Sequence, residues 1–485
     1  MGDGDSHARR IRALVAARPD EPVYRHIALD GSEPAFGWPW LDRRSSQVAG
    51  ALAARGLGLG DLLGIGLRNS PQFVISVFAA WKLGAVPVPV RWDLPGWELE
   101  RLRAVIEPKV YLDRDDLTWI EAGATEEVAD LPDAVSPHAH GICSSGSTGT
   151  PKVILSTGPS ICTPHYSTPM ADFWRPIPRP QTILVLTPMY HINAFSTLSN
   201  LLGGDRLVAM EKFDAARAVE VIERYRVSTF TATPVMLQRM ADLPGIESRD
   251  LSSIEWIVQG AAPMPPSLVE RWCGLLGPEK IIMAYGATEG VGITAIRGDE
   301  WLEHRGSVGR GMRDTEVRVL DPEGRDMPAG RLGEIYLRMP GSAGGRYLGD
   351  AAPLPATADG FRTVGDLGFR DEEGFVYIAD RRVDLIITDG ANVFPAEVET
   401  ALIDHPKVAD VVVIGLKDEE WGRRVHAVIE PADPGDPPGF EEIAAFAKGR
   451  LAAYKVPKSI EVVDAIPRSE ATKVNRGRLV LARGG

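Results

Sequence analysis

Between residues 143 and 152 the chain reads Cys143-Ser144-Ser145-Gly146-Ser147-Thr148-Gly149-Thr150-Pro151-Lys152. These residue types suit an anion. Glycines let the backbone bend until several N–H groups face one point. Serine and threonine hydroxyls donate further hydrogen bonds. A lysine adds a point charge suited to phosphate. The order excludes a P-loop NTPase, which needs Gly-Lys followed directly by Ser or Thr; here Pro151 precedes Lys152. The competing reading is a flexible Ser/Gly linker. Strands expected on both sides weigh against it.

The segment resembles the phosphate loop of the adenylate-forming superfamily, which includes acyl-CoA synthetases, peptide-synthetase adenylation domains and luciferases. Further motifs follow in the same order. Pro188-Met189-Tyr190-His191 is similar to the family's Pro-x-x-His segment beside the acyl pocket. Gln259-Gly260-Ala261-Ala262-Pro263 resembles its adenine-side loop. Tyr285-Gly286-Ala287-Thr288-Glu289 matches Tyr-Gly-x-Thr-Glu, and Gly365-Asp366-Leu367 matches the ribose-binding Gly-Asp-Leu. Arg381 stands where the family has a second ribose contact, and Lys473 where it has its catalytic lysine. The resemblance runs from about residue 10 to 480 and is nearest to bacterial acyl-CoA synthetases.

The reaction this implies begins with a carboxylate attacking the α-phosphorus of ATP. Pyrophosphate leaves and an acyl-adenylate forms. Transfer to the thiol of CoA would follow. Both first reactants are anions, so alignment and charge neutralisation are the main tasks. The resemblance assigns the β- and γ-phosphates to Ser144, Ser145, Gly146, Ser147, Thr148, Gly149 and Lys152. Glu289, with Thr148, would bind Mg²⁺, which prefers oxygen ligands. Gly260, Ala261, Ala262 and Gly286 would enclose the adenine, with Tyr285 stacked on its face. Asp366 and Arg381 would hold the ribose. Lys473 would meet charge developing on the carboxylate and α-phosphate. Thr288, Glu289 and His191 complete the implied catalytic set.

Each residue also has a plainer reading. Glu289 could be an acid favoured at a helix N-terminus, and Asp366 a turn residue. Lys473 could be an ordinary exposed lysine. His191 could be a satisfied core histidine and Tyr285 simply core. The ordered set favours function. Gly56-Leu57-Gly58-Leu59-Gly60 precedes a strand, so it reads as a helix cap and turn rather than a dinucleotide loop. His138 and His140 stand two residues apart without the ligand set of a zinc motif, so no metal site is expected there.

The chain departs from the family pattern in four places. Val383 occupies the hinge position that is commonly Asp or Lys. Asp389 replaces the first of two glycines on the pantetheine path, although Gly390 is kept. Thr472 replaces a glycine before Lys473, and Val364 a threonine before Gly365. A carboxylate at 389 could disfavour the thiolate of CoA. The departures lie mainly around thiol delivery, so adenylation is expected intact. An enzyme that adenylates and passes the acyl group to a partner enzyme or carrier protein is the alternative. Peptide-synthetase adenylation domains usually hold an aspartate that pairs with the substrate's α-ammonium group, and the segment after His191 shows no clear counterpart of it, which disfavours an amino acid. Ala194, Phe195, Gly286, Ala287, Gly290, Val291 and Gly292 are small or apolar, which suits an apolar and bulky acid.

These residues need a frame. Residues 62–67, 86–90, 183–186 and 411–414 are apolar runs expected as buried strands. Residues 73–81 read as a buried helix. Ile443, Phe446, Ala447 and Leu451 share one helical face. Short apolar runs alternate with helical stretches, which is the α/β pattern. The expected architecture is a large N-terminal α/β domain of several subdomains at 1–380, a hinge at 381–384 and a small mobile α+β domain at 385–485. Hydrophobic residues make up 44% of 485, enough for sizeable cores without disulfides. The net charge of −13 disfavours a nucleic-acid partner. Cys143, Cys162 and Cys273 fit neither a disulfide framework nor a zinc site, so a reducing cytoplasm is expected. No run of 18 apolar residues suggests a membrane span, and the N-terminus lacks a signal-peptide stretch. Gly2 and Ser6 match the loose myristoylation pattern, which chance explains.

Overall fold

A computed structural model describes residues 4–122, 131, 133–144, 152–163, 167–340, 345–381, 384–388, 391–418, 421–470 and 472–484, with backbone alone at 122, 144, 380 and 381. Its centre is a nine-stranded sheet. Six neighbouring strands run parallel, in the order Ile281–Gly286, Trp256–Gln259, Thr229–Ala232, Thr182–Val185, Arg206–Met210 and Pro22–Ile27. Antiparallel strands close both edges. A second, three-stranded parallel sheet holds Val86–Pro89, Leu62–Ile65 and Val110–Leu112. The expected strands at 62–67, 86–90 and 183–186 are therefore present.

Successive residues of a strand face opposite sides. Leu207 and Ala209 join a core with Leu63 and Ile65 of the second sheet, and with the helices Trp38–Ala54 and Pro71–Lys82. Val208 and Met210 face the other way, onto helices Ala215–Tyr225, Pro234–Ala241 and Pro266–Leu276. Both faces are covered, which explains the unbroken apolar runs. Helix Pro71–Lys82 is buried almost all round because it lies inside a core to which both sheets and the neighbouring helices contribute side chains. Ser70 starts it by accepting a hydrogen bond from the Phe73 N–H at 3.1 Å, with Pro71 in the first turn.

An antiparallel four-stranded sheet follows: Glu316–Leu320, Gly333–Arg338, Asp366–Arg370 and Val376–Arg381. Beyond residue 385, Val408–Asp418 pairs antiparallel with Gly422–Pro431, which pairs parallel with Ser459–Val462. Helices Pro395–Leu402 and Phe440–Lys448 cover one face and build a separate core around Val411, Val413, Ile429 and Ile443. The expectation of a large α/β domain with a smaller α+β domain is borne out. Ile443 and Ala447 are buried on the expected helix face, while Leu451 lies past its end. Gly56, at φ +85°, ends a helix before the strand Leu62–Ile65, so that glycine run is a cap and turn. Among the described residues no helix is long and apolar enough to cross a membrane.

Candidate active site

The candidate residues gather at the carboxyl ends of the parallel strands, where ligands of open α/β sheets bind. Thr233 directly follows Thr229–Ala232, and Gly260 directly follows Trp256–Gln259. Tyr285 and Gly286 end their strand. His191 lies six residues past Thr182–Val185. Asn69 fixes that last segment: its amide donates to the Thr187 and Met210 carbonyls at 3.0 Å each, and its Oδ1 accepts from Met189 N–H at 2.7 Å.

The loop expected on the adenine side is held from within. Gln259 Nε2 donates to the Ala262 carbonyl at 2.6 Å and the Gly260 carbonyl at 3.2 Å. Ala261 adopts φ +75° between them. Gly260 is buried, whereas Ala261 and Ala262 are exposed.

Tyr285 and Asp366, chosen separately from the sequence, touch. The phenol O–H donates to Asp366 Oδ2 at 2.7 Å. Asp366 is buried, so its carboxylate needs such donors. Antiparallel register sets Asp366 opposite Arg381 on the next strand, which brings the two expected ribose residues together through the backbone. The Arg381 side chain lies outside the described residues. Val364 stands where the family has a threonine, but Thr363 supplies a hydroxyl one residue earlier, accepting from Gly365 N–H at 2.9 Å.

Ser144 and Lys152 are register partners in a hairpin of Gly141–Ser144 and Lys152–Leu155. These strands flank the segment expected to hold phosphate, of which Ser145, Gly146, Ser147, Thr148 and Gly149 lie outside the described residues. Strand Arg346–Tyr347 pairs with Lys152–Leu155. This delivers a residue that sequence reasoning missed. The Tyr347 O–H donates to Glu289 Oε1 at 2.8 Å, and Lys152 Nζ lies 4.9 Å from the Tyr347 ring centre. Gly345 allows the approach: its N–H donates to the Glu289 carbonyl at 2.5 Å, and a Cβ there would meet Ile154 at 2.3 Å. Thr288 and Glu289 sit in the connection between antiparallel strands Ile281–Gly286 and Ile293–Arg297, not at a helix N-terminus. Only a glycine-rich stretch ahead of Tyr347 hinted at this pairing.

An oriented carboxylate such as that of Glu289 offers the oxygen ligand that Mg²⁺ prefers. Hard cations of this size take oxygen ligands and share substrate phosphates rather than needing an all-protein cage. Among the described residues no cluster of three or more His, Cys, Asp or Glu could hold a metal by itself.

His191 is not a satisfied core histidine. Its Nε2 is buried and makes no hydrogen bond among the described residues. Burial pushes its pKa down to about 3, helped by the charges of Lys473 and Arg91. Lys473 itself is exposed, yet its charge acts on His191. The segment carrying Lys473 therefore faces the large domain. Trp92 Nε1 donates to Glu470 Oε2 at 3.0 Å, and Thr472 Oγ1 donates to Thr233 Oγ1 at 2.7 Å. Neither Trp92 nor Thr233 carried a sequence signal. The acyl-side residues divide. Ala194 and Phe195 are core, with the Phe195 ring 6.2 Å from Trp81, and Val291 packs in another core. Gly286, Ala287 and Gly290 remain at least partly exposed. Val383, Asp389 and Gly390 lie outside the described residues.

A family model described as AMP-binding enzyme matches residues 12–347, and its C-terminal domain model matches 397–473. A feruloyl-CoA synthase of Amycolatopsis sp is 31% identical over 466 residues, covering 92% of this chain and 93% of that protein. An indoleacetate–CoA ligase of Aromatoleum aromaticum is 29% identical over 497 residues, with 94% and 96% covered. The solved o-succinylbenzoate CoA synthetase of Bacillus subtilis, in complex with its acyl-adenylate intermediate, matches with a TM-score of 0.81, 25% identity and 97% of both chains. The motif resemblance is thus borne out: the chain belongs to the AMP-binding enzyme family, as an acyl-CoA ligase.

Proposed function

We propose that this enzyme activates a carboxylic acid with MgATP, releases pyrophosphate, and passes the acyl group from the adenylate to CoA. The contact between the Lys473 segment and the large domain, above His191, carries the reading. In that arrangement Lys473 can balance charge where the acid carboxylate approaches the α-phosphate. Asp366 and Tyr285 hold the ribose and adenine side, and Arg381 joins them. Lys152, with Ser144, Ser145, Gly146, Ser147, Thr148 and Gly149, holds the β- and γ-phosphates. Bound Mg²⁺ would neutralise phosphate charge, with Glu289 and Thr148 as its protein ligands. His191 remains neutral and offers an unpaired ring nitrogen beside the reacting groups. Residues 381–384 serve as the hinge between domains 1–380 and 385–485.

The acid has an apolar and bulky body. The small residues Gly286, Ala287 and Gly290 support this, as do relatives named for feruloyl and indoleacetate substrates. The test is pyrophosphate release with MgATP across a panel of aryl and alkyl acids, each with and without CoA. Acid-dependent release that turns over only with CoA supports the proposal. Release in a single burst, with bound acyl-AMP and no thioester, would instead show an enzyme that needs another acceptor.

A further inference from the structure

Six non-glycine residues among those described have positive φ: Glu107, Arg226, Ala261, Arg313, Asp314 and Thr472. Thr472, at +59°, is the one with a β-branched side chain. Such a residue in the left-handed region is a genuine outlier, and it persists only where surrounding bonds over-determine it. The bonds are present. Thr472 N–H donates to the Ser469 carbonyl at 2.7 Å, and Arg468 Nη1 donates to the Thr472 carbonyl at 2.8 Å. Arg468 is itself clamped to Asp410 by two bonds of 2.5 and 2.7 Å. Ser469 N–H donates to the Lys473 carbonyl at 2.9 Å. The turn is therefore rigid with respect to the small domain.

The side chain then leaves that domain. Thr472 Oγ1 donates across to Thr233 Oγ1 at 2.7 Å. Thr233 is buried and caps helix Pro234–Ala241, accepting from Met236 N–H at 3.4 Å. A hydroxyl oxygen has two acceptor sites, so it can serve both donors. A glycine at 472 would accept the backbone angle without strain but could not make the bridge.

We propose that Thr472 is a positioning residue that fastens the Lys473 turn onto the large domain while adenylation occurs. The inference rests on the role proposed for Lys473. The left-handed backbone aims a hydroxyl at Thr233, and the bridge holds Lys473 one residue away at the strand ends. In this role Thr472 acts through Lys473.

The experiment compares Thr472→Val, which keeps the branching and loses the hydroxyl, with Thr472→Ser, which keeps the hydroxyl. Acid-dependent pyrophosphate release is measured on the full chain, beside Lys473→Ala. Loss of one net hydrogen bond predicts a kcat about fivefold lower for Thr472→Val, with the KM for ATP within about twofold of the parent. Thr472→Ser should retain kcat within about twofold by the same reckoning. Trypsin should cut after Lys473 faster in the valine variant and not in the serine variant. A valine variant at parental kcat, or a serine variant that falls equally far, overturns the inference. If Lys473→Ala is inactive while Thr472→Val is unchanged, only the inference fails. If Lys473→Ala turns over normally, the role of Lys473 itself fails.

Discussion

Tyr347→Phe is the sharpest perturbation of the metal-binding proposal. The substitution removes one oxygen and keeps the ring beside Lys152. What is lost is the 2.8 Å bond to Glu289 Oε1. A hydrogen bond to a charged acceptor contributes about 1.5–3 kcal/mol. Tyr347 and Glu289 are both partly exposed, so the lower end applies. About 1.5 kcal/mol corresponds to about a tenfold change in an equilibrium constant. Partners that orient metal ligands commonly cost about 10–100-fold in metal affinity when removed, which agrees in sign and size. The assay is the rate of acid-dependent pyrophosphate release against Mg²⁺ concentration at fixed ATP. Binding of Mn²⁺ with ATP in the absence of acid serves as a second readout. The midpoint in both should rise about tenfold by that arithmetic, with thermal stability nearly unchanged. An unshifted midpoint in Tyr347→Phe, alongside a large shift in Glu289→Gln, would refute the idea that Tyr347 orients the carboxylate.

Lys473→Ala should lower adenylation by orders of magnitude while ATP binding, measured by calorimetry, stays near the parental value. Asp366→Ala should raise the KM for ATP about tenfold, from the loss of charged hydrogen bonds of about 1.5–3 kcal/mol; an unchanged KM would remove Asp366 from the ribose site. His191→Gln should leave the pH dependence of adenylation between pH 5 and 8 unchanged, because His191 is held neutral with its pKa down at about 3; loss of an inflection near pH 6.5 would contradict that. Stability should fall as pH drops below about 6.5, the ordinary histidine value. His7 is fully buried, and burial pushes its pKa down to about 3, so between those values the unfolded chain binds a proton that the folded chain does not. The cost at pH 5 is about 2 kcal/mol from this residue alone. Urea midpoints at pH 7 and pH 5 measure it, and equal midpoints would contradict the burial.

The sequence by itself determined the chemistry and the kind of frame. Residue type and order in the Cys143–Lys152 stretch and around Glu289, Asp366 and Lys473 carried the family resemblance, and the roles it implies suit those side chains, because phosphate, a divalent cation and a diol each restrict which groups can serve. The apolar runs named the buried strands and the buried helix over residues 73–81, because burial on both faces leaves no polar alternation. Only the tertiary structure decided which residues meet. Tyr285 and Asp366 are 81 residues apart, Glu289 and Tyr347 58, Thr233 and Thr472 239. A spacing of that size carries no periodic signal, since the pairing depends on strand register and sheet order. The same limit made Phe195 and Val291 look like pocket lining: an apolar side chain reads alike whether it faces a ligand or a core. Thr472 shows both halves. Its identity is visible in the sequence, but its left-handed backbone and its bridge to Thr233 arise only once two domains face each other.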